Sequence, residues 1–199
     1  MHSLITTGLI LLGYLLGSLS SAIVVCKLMG LPDPRSAGSG NPGTTNVLRL
    51  GGKKAAAITL AGDMLKGLIP VLAGALAGLN TFQLALIAVA AVLGHVFPLY
   101  YGFKGGKGVA TAFGGLLAVH LPTGLLALVT WLAASLLTRI SSLSALITFA
   151  ALPLLLWVAG RPGAAAVTVV LALLIGWTHR SNIERLRAGT EPRIGSKRP

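Results

Sequence analysis

The stretch "SLITTGLILLGYLLGSLSSAIVVCK", residues 3–27, decides the class of fold, because it is a long apolar run that ends in a lysine. A helix that crosses a bilayer needs about 20 predominantly apolar residues. The run exceeds the ~7–15 apolar residues of a signal-peptide core and has no basic leader, so we expect it to be retained as a membrane-spanning helix. The chain as a whole is 54% hydrophobic and only 10% charged, with a mean hydropathy of +0.85.

Six further apolar runs follow, at about 54–79, 81–100, 108–120, 122–138, 141–159 and 163–178. The fourth of these seven spans is short and rich in glycine, so we leave open whether it crosses the bilayer fully or only in part. The connections between the later spans, such as "LPTG" and "GRPG", are too short to form a soluble domain. The sequence therefore predicts an all-α polytopic membrane protein with about seven transmembrane helices, a single domain over residues 1–199.

Charge predicts the orientation of these spans. The chain has 16 Lys or Arg and 4 Asp or Glu, which gives a net charge of +12. The basic residues follow span one (Lys27, Arg35, Arg49, Lys53 and Lys54), span three (Lys104 and Lys107), span five (Arg139) and span seven (from Arg180 to Arg198). With seven crossings only Arg161 would lie outside, so the positive-inside rule places the N-terminus outside and the C-terminus in the cytoplasm. In a membrane protein so basic, we expect lipid head groups and phosphorylated substrates as partners, and no nucleic acid.

Three polar segments, at 32–54, 94–111 and 179–191, then share the cytoplasmic face. Within the first, "GSGNPGTTN" (38–46) fits the spacing G-x-G-x-x-G of dinucleotide-binding loops. That fingerprint needs a buried strand before it, and Pro32 and Pro34 exclude one. The segment instead offers flexible glycines, amides, hydroxyls and a guanidinium to an anion. Its candidate anion-binding residues are Ser39, Gly40, Asn41, Thr44, Thr45, Asn46 and Arg49.

The second segment, "GHVFPLYYGFKGGKGVAT" (94–111), is not a Walker A loop, because Lys107 is followed by Gly108 and not by Ser or Thr. Gly105, Gly106 and Gly108 around Lys107 still form a donor-rich turn that leads into a helix N-terminus, which is an anion site. His95 lies near the cytoplasmic end of an apolar span, where a packing role and a functional role are both open.

The third segment follows the last span and carries His179 and Asn182 on one helical face, three residues apart. Whether Glu184 faces the same site is left open. The arginines at 185, 187 and 193 either contact lipid phosphates or only solvate the tail. Asp63 and Lys66 stand three apart inside an apolar span, where ionisable groups are costly. They either pair with each other, or Lys66 extends the cationic pocket.

The sequence shows no G-x-S-x-G motif and no setting for a reactive cysteine, and its carboxylates are too scattered to indicate a metal site. We therefore expect neither a metal nor a cofactor, and a reaction in which positioning and charge stabilisation act on substrates that are already activated. The alternative is a transporter or channel for a phosphorylated solute. It predicts polar segments near the bilayer midplane and an internal repeat, whereas these segments gather at one face.

The segments "GSGNPGTTNVLR", "GHVFPLYYGFKGGKGVAT" and "HRSNIERLRAGTE", in this order, resemble the three signature segments of the bacterial acyl-phosphate-dependent glycerol-3-phosphate acyltransferases. The similarity runs from the first span to the tail. It implies transfer of a fatty acyl group from acyl phosphate to the 1-hydroxyl of glycerol 3-phosphate. The products are 1-acylglycerol 3-phosphate and phosphate, in phospholipid synthesis at the bacterial inner membrane, with the site facing the cytoplasm.

The resemblance also implies residue roles, without indicating which segment holds which phosphate. It makes Ser39, Arg49, Lys107, His179 and Asn182 catalytic. It makes Gly40, Asn41, Thr44, Thr45, Asn46, Lys66, Gly105, Gly106 and Gly108 phosphate-binding. Either His179, with an ordinary pKa of ~6.5, or a substrate phosphate, with a second pKa of ~6, takes the hydroxyl proton; our hypothesis is that no protein base is indispensable. A soluble enzyme that supplies acyl phosphate is an expected partner of a monomeric protein.

Overall fold

The structure, a computed structural model, describes residues 1–195; Lys197 and Arg198 of the predicted basic tail lie outside this range. Its described part contains nine α-helices, one short 3₁₀ turn at Leu99–Tyr101 and no β-strand. The helices are α1 (His2–Gly17), α2 (Ser21–Leu28), α3 (Thr44–Leu76), α4 (Thr81–Val96), α5 (Val109–Val119), α6 (Leu121–Thr138), α7 (Ser141–Val158), α8 (Pro162–Thr178) and α9 (Arg180–Arg187). The prediction of an all-α protein is confirmed.

Within the described residues, five helical segments are long and apolar enough to cross a membrane. They are His2–Leu28, Thr44–Leu76, Thr81–Tyr101, Leu121–Thr138 and Ser141–Val158. A sixth is counted if α8 and α9, which are bent by 61° against each other, form one span. The fourth predicted span corresponds to α5, which has only 11 residues. At ~1.5 Å per residue it rises about 16 Å, roughly half the hydrocarbon thickness.

The first predicted span is not one continuous helix. α1 ends at Gly17, and α2 begins after Ser20, whose Oγ accepts a hydrogen bond from the backbone N–H of Ile23 at 3.4 Å. The break leaves helix-end carbonyls to be satisfied. One of them, the carbonyl of Leu19, accepts a hydrogen bond from Lys66 Nζ at 2.7 Å. A lysine of α3 thus stabilises the bend that the apolar pattern alone does not show.

α3 begins at Thr44, well before the predicted start of the second span at about residue 54. The pair Gly51 and Gly52 interrupts the apolar pattern, but the chain only bends there. Gly52 adopts φ 73° and ψ −170°, and helix continues on both sides. As a result, Thr44 and Thr45 lie in the first turn of a helix, where backbone N–H groups have no intrahelical acceptor.

α4 lies at the centre of the bundle and packs against α1, α3, α5 and α8. Glycines allow the backbones to touch, as is common between membrane helices. A Cβ at Gly17 of α1 would overlap the backbone of Ala91, and one at Gly114 of α5 would overlap the backbone of Met64 in α3. This close packing leaves room for only small displacements of α5, the helix that follows the second polar segment.

We predict that Gly114→Ala lowers the apparent Tm of the purified protein by several degrees, because the new Cβ forces α3 and α5 apart. Overpacking typically costs ~1–3 kcal/mol, and ~1 kcal/mol corresponds to about 2–4 °C for a chain of this size. Thermal unfolding in detergent measures the shift. The matched control is Gly176→Ala in α8, where a Cβ meets no atom within 4 Å. Equal Tm values for the two variants would contradict close contact between α3 and α5.

Candidate active site

A cavity of about 350 Å³ lies at the end of the bundle where the three polar segments meet. Its polar lining includes Ser39, Asn41, Thr44, Thr45, Arg49, Lys107, Ser142, His179 and Asn182. Its apolar lining includes Leu60, Met64, Phe113, Leu128 and Trp131, which lie further along α3, α5 and α6. Leu60 is also 42% exposed, so the cavity reaches the outer surface of the bundle beside α3. The shape suits a ligand with a charged head and an apolar chain.

The side chain of Asn46 organises the first polar segment. Its Oδ1 accepts a hydrogen bond from the Ser39 N–H at 2.8 Å, and its Nδ2 donates to the carbonyls of Pro34 at 2.9 Å and Ala37 at 3.0 Å. Both amide protons are therefore used inside the loop, and Asn46 is almost fully buried. Asn46 also lines the cavity, so its direct contact with a phosphate stays a prediction. Its observed role is to fix Ser39 at the edge of the cavity.

The first turn of α3 lines the cavity and has the features of an anion-binding site. Gly43 is the N-cap residue and contributes no side chain, so the N–H groups of the first turn remain without a side-chain cap. Thr44 and Thr45 both line the cavity, and the buried Oγ1 of Thr44 has no hydrogen-bond partner among the described residues. Arg49, one turn further along, lines it as well. A helix N-terminus with a guanidinium beside it binds phosphate groups well.

The second polar segment is fixed by its own backbone. The N–H of Gly105 donates to the Val96 carbonyl and that of Gly106 to the His95 carbonyl, both at 3.1 Å. The carbonyl of Lys107 accepts from Thr178 Oγ1 at 3.2 Å. The ammonium of Lys107 donates to Asn182 Oδ1. Lys107 thus reaches the cavity from a loop that is held at both ends.

Burial lowers the pKa of Lys107 to about 8, although the carboxylate of Glu191 opposes this shift. Gly108, the left-handed N-cap of α5, lines the same cavity. Gly40, Gly105 and Gly106 instead line an adjoining polar hollow of about 530 Å³, which shares Ser39, Asn41 and Lys107 with the cavity. The predicted glycines are therefore divided between two neighbouring spaces.

His179 follows the last residue of α8 and lies outside the membrane-spanning segment. Its Nδ1 is 2.8 Å from the carbonyl of Ile175, which can only accept, so Nδ1 carries a proton. In the neutral ring Nε2 is then an acceptor. Burial, together with the charge of Lys107, lowers the pKa of His179 to about 4. With this pKa the ring is neutral at physiological pH. Its Nε2 can then accept a hydrogen bond but is a weak proton acceptor.

The sequence indicated no role for Glu191, although the side chain of this residue joins α7 to α9 beside the cavity. Its Oε1 accepts from Ser142 Oγ at 2.6 Å and Asn182 Nδ2 at 2.5 Å, and its Oε2 accepts from Arg185 Nε at 2.7 Å. Burial alone would raise the pKa of Glu191, but these hydrogen bonds and the charge of Arg185 together hold it below its usual value. The sequence feature that could have drawn attention to Glu191 is that it is one of only 4 acidic residues in the chain.

Lys66 does not line the cavity. Its Nζ lies 2.9 Å from Asp63 Oδ1, and both side chains are almost fully buried. Of the two alternatives, the structure shows the ion pair, which differs from the prediction that Lys66 binds a phosphate. Asp63 and His95 do line the cavity, whereas Glu184 does not. Among the described residues, no group of three His, Cys, Asp or Glu side chains is placed to hold a metal ion.

Residues 7–189 match the family model described as "Glycerol-3-phosphate acyltransferase". The chain is 55% identical over 195 residues to a glycerol-3-phosphate acyltransferase of Thioalkalivibrio sulfidiphilus, with 98% of this chain and 96% of the relative covered. It is 56% identical over 184 residues to one of Pseudomonas putida KT2440, with 92% and 96% covered.

Two crystal structures of PlsY, an integral membrane glycerol 3-phosphate acyltransferase, are similar to this fold. The glycerol 3-phosphate form has a TM-score of 0.90 at 41% identity and covers 96% of each chain. The lysophosphatidic acid form has a TM-score of 0.88 at 40% identity, with 96% of this chain and 95% of that chain covered.

We predict that Asn46→Ala loosens the first polar segment, because it leaves the Ser39 N–H and the Pro34 carbonyl unpaired. Each unsatisfied buried group costs ~1–3 kcal/mol. Limited trypsin digestion should cleave faster after Arg35, and the apparent Tm should fall. Asn41→Ala is the control, since Asn41 lines the cavity without a described hydrogen bond to the loop. Equal cleavage rates after Arg35 in both variants would show that Asn46 does not hold the loop.

Proposed function

The chain belongs to the glycerol-3-phosphate acyltransferase family, and on that premise we propose that its acyl donor is acyl phosphate. The 1-hydroxyl of glycerol 3-phosphate attacks the acyl carbonyl carbon, and the bond from that carbon to the phosphate oxygen breaks. The products are 1-acylglycerol 3-phosphate and inorganic phosphate. The observation that carries the proposal is a cavity with an apolar end for the acyl chain and a polar end rich in phosphate-binding groups.

Acyl phosphate is a mixed anhydride and needs no enzyme nucleophile, provided that the charge on its leaving phosphate is held. The first turn of α3, with Ser39, Thr44, Thr45 and Arg49, would bind one of the two phosphates. Lys107 and the N–H groups that follow Gly108 would stabilise the leaving phosphate or the carbonyl oxygen as negative charge develops. This division places the scissile bond beside Lys107, where residues of all three polar segments meet.

His179 and Asn182 would orient glycerol 3-phosphate for attack. The unprotonated Nε2 of His179 accepts a hydrogen bond from the attacking hydroxyl. With its pKa lowered to about 4, His179 is a weak proton acceptor at neutral pH. A substrate phosphate with a second pKa of ~6 is a better one. We therefore assign the proton to a substrate phosphate, and no protein residue acts as an indispensable base.

Three of the predicted phosphate-binding residues take other roles in this proposal. Asn46 shapes the loop, and Lys66 pairs with Asp63. Gly106 lies against the ring of His95, and its backbone supports the loop. Gly40 and Gly105 line the polar hollow, with their N–H groups bonded within the loops. Asn41 lines both spaces and would offer its side-chain amide to a phosphate.

The topology that we propose has seven crossings, with the N-terminus outside and the C-terminus inside. It is supported by the cavity lining, since the starts of α3, α5 and α7 and His179, which follows α8, contribute to it, and α6 ends at Thr138, directly before α7 begins. α5 must therefore leave the cavity end and α6 must return to it. The Lys and Arg residues concentrate at this end, which the positive-inside rule makes cytoplasmic.

We further propose that residues 1–199 form one domain in the bacterial inner membrane, with the polar segments 32–54, 94–111 and 179–191 at the cytoplasmic face. Glycerol 3-phosphate then enters from water, and the acyl chain enters from the bilayer beside Leu60. A soluble enzyme that makes acyl phosphate would supply the donor to a monomeric acyltransferase. The reaction needs neither a cofactor nor nucleic acid, because its donor is already activated.

We predict that the purified protein converts radiolabelled glycerol 3-phosphate to lysophosphatidic acid with palmitoyl phosphate and not with palmitoyl-CoA. Arg49→Ala and Lys107→Ala should each lower kcat/KM ~10²–10³-fold, the usual effect of losing one group that stabilises charge in the transition state. Gly176→Ala is the folding and activity control. Equal product from palmitoyl-CoA, or unchanged activity in Lys107→Ala, would reject the donor or the role of Lys107, respectively.

We predict that kcat/KM falls as the pH rises through about 8, because Lys107 has a pKa lowered to about 8 and loses its charge there. Lys107 is protonated and active below that pH, so the alkaline limb reports its deprotonation. Lys107→Arg should be slower, because Arg and Lys differ in geometry, but it should lack this limb since arginine stays charged up to pH ~12. Initial rates between pH 6 and 10 are corrected for spontaneous hydrolysis of acyl phosphate. The same alkaline limb in Lys107→Arg would assign it to another group.

A further inference from the structure

A buried polar chain runs from the break between α1 and α2 to the glycine loop before α5, and the reaction described above does not use it. Lys66 Nζ binds the Leu19 carbonyl at 2.7 Å and Asp63 Oδ1 at 2.9 Å. Asp63 Oδ1 is in turn 3.7 Å from His95 Nδ1. All three side chains are almost fully buried. Ionisable groups so deep in a membrane bundle are costly and mark functional positions.

The His95 ring is fixed from two sides. Nδ1 lies 3.3 Å from Thr111 Oγ1, which is completely buried in the first turn of α5, and faces the carboxylate of Asp63. Thr111 is itself located by the close packing of α3 on α5, since a Cβ at Gly67 would overlap the Thr111 carbonyl. The imidazole therefore has one position between α3, α4 and α5.

The opposite edge of this ring supports the glycine loop. A Cβ placed on Gly106 would overlap His95 Nε2, so the loop backbone lies directly on the imidazole. The Gly106 N–H also donates to the His95 carbonyl at 3.1 Å. The next residue is Lys107, whose ammonium enters the cavity. One histidine thus supports this loop with both its ring and its backbone.

We propose that His95 is a positioning residue for acyl transfer. Its ring, beside the Thr111 hydroxyl and facing the Asp63 carboxylate, supports Gly106 and so places the ammonium of Lys107 against the reacting phosphate. Lys66 balances the charge of Asp63 and keeps the carboxylate facing His95. The inference rests on the proposed function, in which Lys107 stabilises the developing charge. It gives Asp63 and His95 a role that does not require contact with substrate.

The first test is the kinetics of His95→Ala. A displacement of ~1 Å at a catalytic group can cost on the order of 10² in rate. We therefore expect His95→Ala to lower kcat ~10²-fold, with little change in the KM for glycerol 3-phosphate. His95→Gln, which can extend an amide to the position of Nε2, should recover most of the loss. Thr111→Val keeps the packing, removes the hydroxyl that fixes the ring, and should show a smaller fall in kcat.

The decisive test is a double-mutant cycle with Gly106→Ala. Its Cβ collides with the ring, so the single variant should lose activity. In Gly106→Ala/His95→Ala the collision is gone, so the double variant should be at least as active as Gly106→Ala alone. Independent sites would instead multiply their effects. Gly8→Ala, where a Cβ meets no atom within 4 Å, is the control for glycine replacement as such.

The outcomes separate this inference from the proposed function. If the wild type makes no lysophosphatidic acid from palmitoyl phosphate, the proposed function fails. If the wild type is active and Lys107→Ala is not, but His95→Ala is as fast as the wild type, only the positioning role of His95 fails. Multiplicative losses in the cycle would also overturn it. Should His95→Ala not fold in detergent, Thr111→Val takes its place in the kinetic test, and an unchanged kcat in Thr111→Val would overturn the proposal.

Discussion

The hydrogen bond from the partly buried ammonium of Lys107 to Asn182 joins two parts of the chain that are 75 residues apart, and both residues line the cavity. A buried cation is costly unless its donors are satisfied. The protein satisfies this one with the amide oxygen of Asn182 and fixes that amide through Glu191. Because Glu191 also binds Ser142, the same network joins the loop before α5, the start of α7 and the chain after α9. The second and third polar segments and the start of α7 therefore hold one another in place through this network.

The need to pair buried charge also applies to Asp63 and Lys66, inside the helix bundle. Asp63 and Lys66 form an ion pair where the bundle is apolar, and a buried pair is weak evidence for stability because desolvation offsets the attraction. The ion pair matters here because of the groups that its two side chains contact. Lys66 also satisfies the carbonyl that the break between α1 and α2 exposes, and Asp63 faces His95. A helix break, an ion pair and the ring under Gly106 are therefore one connected structure, and it ends at the catalytic loop.

Comparison of the polar segments shows two ways of building an anion site. In the first, a helix begins at Thr44 without a side-chain cap, and Thr44 and Thr45 of its first turn line the cavity. In the second, the glycines hold a loop that delivers one ammonium group. The helix end supplies fixed partial charges, whereas Lys107 supplies a full charge whose pKa burial brings to about 8. Two substrates that each carry a phosphate fit a site that combines both.

The sequence by itself determined that the protein lies in a lipid bilayer, and it determined the order of the membrane helices and polar segments. Apolar runs must be helical in lipid, because no water is present to pair the backbone, and the predicted starts at about 122, 141 and 163 agree with α6, α7 and α8 to within one residue. The three polar segments could also be identified, since glycine, hydroxyl and basic residues are rare in such a chain. Local pattern could not show that α3 starts at Thr44, that Asn46 bonds within its own loop, that Lys66 is paired, or that Glu191 holds Asn182. Those facts depend on which groups meet across helices, and only the tertiary structure decides them, because a buried polar atom takes whichever partner the packing brings within reach.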